Sequence, residues 1–160
     1  MQEDVIEKYL DTLLTELEDL ETVSSAKLYS GEFHIEDVSK FRIPMSQDRN
    51  KCVVLVDYDG GPFEDNPVKR DLNYLDSLFT IYVLGYTRKD TFGFSAACTR
   101  CISEINRLVQ HKEFHKISGA EVGYSKPGRT FPMANGIKKG QNTLSLHIYT
   151  YTQRLDFSYE

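Results

Sequence analysis

Apolar and polar positions along this chain alternate with two periods, one of strands and one of helices. Residues 77–87, SLFTIYVLGYT, hold Leu78, Phe79, Ile81, Tyr82, Val83, Leu84 and Tyr86 without a charge among them. β-Branched and aromatic side chains suit a pleated surface covered on both faces, so this stretch predicts the central strand. Arg88, Lys89 and Asp90 break the run. A helix over 91–110 is predicted next, because Phe94, Ala97, Cys98, Cys101, Ile102, Ile105, Leu108 and Val109 recur in steps of three and four.

The same periodicity predicts a helix over 3–20. There Val5, Ile6, Tyr9, Leu10, Leu13, Leu14, Leu17 and Leu20 form one stripe, and acids fill the other face. Its acidic first turn complements the positive end of the helix dipole. Residues 25–29 suit a short strand that ends at Gly31, residues 34–40 a helical turn or two before Pro44, and residues 45–51 a loop. The run CVVLVDY, residues 52–58, is apolar on both faces and is expected to pair beside the central strand. Asp59, Gly60, Gly61 and Pro62 end it, and residues 60–76 are expected to form a long polar connection with a second break at Asn66 and Pro67.

Beyond the second helix, residues 118–124 suit a strand. Residues 125–140, SKPGRTFPMANGIKKG, contain Pro-Gly, Phe-Pro and Asn-Gly pairs, which predict turns at both ends of an extended arm or a long hairpin tip. In the closing stretch 143–157, Leu144, Leu146 and Ile148 alternate with Ser145, His147 and Tyr149, the pattern of a strand with one buried face. The chain shows no internal repeat. Its 160 residues are read as one α+β domain, 1–160, in the broad α/β class: a central mixed or mostly antiparallel sheet with two main helices packed on it.

Charge changes this picture. The chain carries a net charge of −5, yet residues 1–22 hold eight acids and one lysine, a net of −7. Residues 125–140 hold Lys126, Arg129, Lys138 and Lys139 and no acid, a net of +4. Such ends permit head-to-tail contacts between copies, although two solvated surfaces would look the same. No apolar run is long enough to span a bilayer, and the acidic amphipathic N-terminus is unlike a signal peptide, so the chain is expected to stay in the cell that makes it. Three cysteines, an odd number, fit reduced thiols better than a disulfide framework.

Candidate chemistry is sparse. Cys98 and Cys101 have redox or zinc spacing, but both fall on the apolar stripe of a predicted helix and no second such pair exists, so they read as buried structural thiols. His111 and His115 stand one helical turn apart, but Lys112 occupies the place a zincin glutamate requires, so no metal ligand is assigned. Asp57 and Asp59 flank Tyr58 at a strand end, where paired carboxylates can hold Mg²⁺ or move protons. No nucleophile or phosphate-binding loop accompanies them. The segment from Gly136 to Gly140 lacks P-loop spacing, and four bases without a helix-turn-helix or aromatic RNA-binding pattern argue against direct nucleic-acid recognition. No catalytic residue, metal or cofactor is expected.

An acidic amphipathic helix, the strand CVVLVDY, the strand SLFTIYVLGYT, the helix 91–110, a polar excursion and the terminal strand LSLHIYTYTQRLDF follow one another here. In this order and texture the chain resembles the tail-terminator proteins of tailed bacteriophages, most of all the family of Mu-like phages and prophages, and distantly the lambda-type terminator. The resemblance implies a hexameric ring, monomeric or preassembled in solution, that caps the finished tail tube, stops its polymerisation and offers a surface to the head connector. It implies the tail tube protein as partner, with sheath and head-tail connector proteins as further ones, and host cytoplasm followed by virion or tail-like particle as location. The family transfers no catalytic residues. Contacts with the tube are expected at Phe63, Glu64 and Asp65 in the long connection and at Arg88, Lys89 and Asp90, with Arg129, Lys138 and Lys139 in contacts between copies.

Three other readings remain open on the sequence: a head-tail joining or neck protein of similar ring habit, a small metal-dependent hydrolase using Asp57, Asp59 and a histidine, and a nucleic-acid-binding module using the basic stretch.

Overall fold

A computed structural model describes residues 3–29, 48–61, 63–65, 72–87, 95–111, 122–139 and 142–158. Helix α1 (Glu3–Glu18) leads into strand β1 (Val23–Leu28). Strands β2 (Cys52–Gly60), β3 (Phe63–Asp65) and β4 (Leu72–Tyr86) follow, then helix α2 (Ala96–Gln110) and the strands β5 (Val122–Lys139) and β6 (Asn142–Ser158). The sheet order is β1-β2-β4-β6-β5, with β3 paired to β4 off this path. β1 runs parallel to β2, and the other pairings are antiparallel. The architecture is therefore α+β, a mixed sheet carrying two helices, as expected.

Both helices lie on one face of the sheet. Tyr9, Leu13 and Leu17 of α1 and Ala97, Cys98, Cys101, Ile102, Ile105 and Val109 of α2 share one core with Cys52, Val54, Val56, Phe79, Ile81, Val83, Tyr149 and Tyr151. Strand residues two apart face the same side, so every second residue of β2, β4 and β6 meets the helices. Full burial of each such large side chain contributes about 1.5–3 kcal/mol, which drives the helices onto the sheet. Phe79 lies at the centre, its ring 5.0 Å from Tyr9 and 5.1 Å from Tyr151.

The helix α2 begins where its sequence has a cap. Ser95 has an extended backbone, its Oγ accepts the Cys98 N–H at 3.2 Å and donates to the Tyr86 carbonyl at 3.0 Å. One side chain thus starts the helix and ties it to the end of β4. Arg107 lies in the last turn, at the negative end of the dipole.

Several expectations need correction. The central strand is longer than 77–87: it begins at Leu72, and β3 pairs with it, so the region 60–76 is not one polar loop. Nor is β4 covered on both faces throughout, because Leu78 is 42% exposed. Residues 125–139 continue β5 and pair antiparallel with β6, so the expected extended arm is a strand of the sheet. The register shifts between Val122 and Ser125, Pro127 and Thr130, Pro132 and Ala134, and Ala134 and Ile137. Proline is tolerated at such irregularities on an outer strand, where its missing N–H costs no continuous ladder. The strand β6 is buried on both faces, since Ser145, His147 and Tyr149 are as enclosed as Leu144, Leu146 and Ile148. The expected helical turns at 34–40 and strand start at 118–121 lie outside the described residues.

Candidate functional site

Of the residues expected to make contacts, Phe63, Glu64 and Asp65 form β3, opposite Leu75, Tyr74 and Asn73 of β4. They are strand residues beside β4 rather than a loop. Arg129, Lys138 and Lys139 belong to β5, the terminal strand of the sheet. Lys138 and Lys139 lie opposite Thr143 and Asn142, at the last residues of β5 and the first of β6. Arg88, Lys89 and Asp90 lie outside the described residues. The contact candidates therefore divide between β3 on one side of the sheet and β5 at its far edge.

The fold also collects groups that sequence spacing left apart. Cys52, distant in the chain from Cys98 and Cys101, joins them in the core. All three thiols are fully buried and none forms a disulfide. Gly85 makes room for them: a Cβ there would lie 2.8 Å from Cys98 Sγ and 3.0 Å from Cys52 Sγ. Contacts with Cys101 and Cys98, together with burial, push the Cys52 thiol up. A thiol enclosed in this way is a packing group and not a nucleophile. The expectation for Cys98 and Cys101 extends to Cys52, whose place beside them only the pairing of β2 with β4 reveals.

Asp57 and Asp59 share the sheet face opposite the helices. The backbone between them is irregular: Tyr58 faces Phe79 and Gly60 faces Leu78, so Asp59 is the extra residue of a bulge, and Gly60 takes a φ of 74° that favours glycine. Thr80 Oγ1 donates to Asp59 Oδ2 at 2.8 Å. Burial raises the Asp57 carboxyl above the usual range, and Asp59 raises it further by its charge and a hydrogen bond. Burial and then Asp57 and Asp59 raise the Tyr82 hydroxyl as well. His147 lies on the other face, under the helices, and burial lowers its pKa. Exposed His111 caps the far end of α2. Among the described residues the fold thus separates the carboxylate pair from His147, and no group of three or more histidine, cysteine or carboxylate side chains is arranged to hold a metal ion.

Hydrogen bonds between polar side chains bind the layers together. The Tyr9 and Tyr151 hydroxyls are 2.8 Å apart, and Tyr9 also donates to Gln153 Oε1 at 3.4 Å. Tyr149 donates to Asn106 Oδ1 at 2.7 Å, and burial pushes its hydroxyl up to about 12. Ser125 Oγ donates to the Val109 carbonyl at 2.7 Å, joining β5 to the end of α2. Thr22 Oγ1 donates to Glu104 Oε2 at 2.8 Å, joining the turn after α1 to α2. These bonds specify how helices seat on the sheet.

Compared by sequence with protein-family models and with curated proteins, the chain matches none. Among the described residues no helix is long and apolar enough to cross a membrane.

Proposed function

We propose that the chain is a structural subunit of a phage tail or tail-like particle, forming a ring that caps the tail tube. It ends tube polymerisation and offers the surface on which the head connector docks. On this reading it is no enzyme and holds no cofactor. Its partners are copies of itself and the tail tube protein, with sheath and connector proteins beyond them, assembled in the bacterial host and carried into the particle.

The observation that carries the reading is the open sheet with dissimilar lateral ends. Among the described residues, β1, six residues long, ends it on one side, and β5, eighteen residues long, on the other. A ring needs heterologous contacts, in which one patch meets a different patch on the next copy. The likeness to tail terminators, read from the order of elements along the sequence, supports the same reading.

The test is copolymerisation with the cognate tail tube protein, followed by negative-stain electron microscopy of tube lengths and ends. Shortened tubes with a ring-shaped cap are expected. Uncapped tubes of normal length at saturating protein would overturn the reading, and binding to portal complexes in place of tube ends would transfer it to a head-tail joining role.

A further inference from the structure

The charge asymmetry of the sequence acquires a direction in the fold. One row of partners crosses the whole sheet: Ser25 faces Val53, Val53 faces Leu84, Leu84 faces Leu146, and Leu146 faces Ala134. Followed toward lower numbers in β1, the sheet runs toward higher numbers in β5. Glu18, Asp19 and Glu21, just before Val23, therefore lie at the same end of the strands as Lys138 and Lys139, but at opposite lateral edges. Four strand spacings of ~4.8 Å separate the edges, about 19 Å in all.

The acidic edge is well placed for contact. Glu18, Asp19 and Glu21 are exposed, and Glu18 Oε1 accepts the Ala26 N–H at 3.5 Å, which keeps it beside β1. Lys27 is the one exposed base on β1. At the other edge, β5 carries four bases and no acid over residues 125–139.

From this register we infer that copies of the chain associate head to tail, with the acidic turn between α1 and β1 of one copy against the lysine-bearing end of β5 of the next. The inference deepens the ring reading and rests on its claim that copies associate. Charge complementarity selects a second copy as the occupant, because acids predominate at one edge and bases at the other. Attraction between charged stretches, rather than strand pairing, makes the contact. Pro127, Pro132 and the register shifts of β5 blunt its outer edge as a template for added strands.

Two charge-reversed variants test this: Lys138→Glu with Lys139→Glu, and Asp19→Lys with Glu21→Lys. Sedimentation velocity over a concentration series at low salt reads self-association, and native mass spectrometry reads composition. Each variant alone should associate roughly tenfold or more weakly than the unaltered protein. An equimolar mixture should recover association with the two variants alternating, since every contact then joins opposite charges. That recovery also shows that both variants fold. High salt should weaken the unaltered assembly.

A monomeric unaltered protein at all concentrations, variants that associate normally, or a mixture that fails to recover would each overturn the inference. Tube capping is scored separately. Capping by a charge-reversed variant that still forms rings removes this interface and leaves the ring function. Salt-sensitive alternating assembly without capping removes the function and leaves the interface.

Discussion

The hydroxyl of Tyr9 meets the hydroxyl of Tyr151 at 2.8 Å across 142 residues of chain, joining the first helix to the last strand in a fully buried site. Removing the Tyr9 hydroxyl strands that of Tyr151 where water cannot reach it, whereas Tyr9 keeps Gln153 Oε1 when the Tyr151 hydroxyl is removed. Tyr9→Phe is expected to cost about 1–3 kcal/mol, and adding Tyr151→Phe should cost less than the sum of the two single changes. Urea denaturation of the four proteins of this cycle checks it, and strict additivity would mean that the hydroxyls do not interact.

Gly85→Ala should destabilise the fold by about 1–3 kcal/mol, because the new methyl would press on Cys98 Sγ at 2.8 Å and Cys52 Sγ at 3.0 Å. Shortening Cys98 to alanine in the same protein should return part of the loss. Thermal melts of the single and double variants provide the measurement.

Acid should weaken the protein through His147. Burial holds its folded pKa below the ordinary 6.5, so the unfolded chain takes up the proton first. Stability contributed by the neutral ring is whole above about 6.5 and falls as pH drops from there toward the folded pKa. Denaturant midpoints between pH 7.5 and 5 should show a steeper decline than those of His147→Gln, and equal slopes would count against this account.

Asp57 has the opposite sign. Its folded pKa is raised by burial and by Asp59, so ionisation on going above the ordinary 3.8 disfavours the folded state. Asp57→Asn should therefore raise the urea midpoint at neutral pH, and the gain should disappear once the pH falls below that value. A loss at neutral pH would show that the charge serves a purpose at this bulge.

Enclosure of the thiols makes a simpler test. Cys52, Cys98 and Cys101 should react slowly with a thiol reagent in the native protein and fully in denaturant. Rapid native labelling of any of them would place that sulfur nearer solvent.

Local pattern determined much of this protein. The stripes of α1 and α2 and the runs of β2, β4 and β6 are legible because amphipathic spacing and β-rich composition are properties of neighbouring residues. So is the charge difference between residues 1–22 and 125–140. Pairing belonged to the tertiary structure. Its register brought Cys52 to Cys98, put His147 and the Asp57 pair on opposite faces, and enclosed Ser145 and His147 under α2. The prolines and glycines of β5 signal turns locally, yet an outer strand with bulges accommodates them, and only its partner β6 makes it a strand. Whether two charged stretches oppose each other across a sheet depends on strand order, because contacts between residues far apart in the chain leave no period in the sequence.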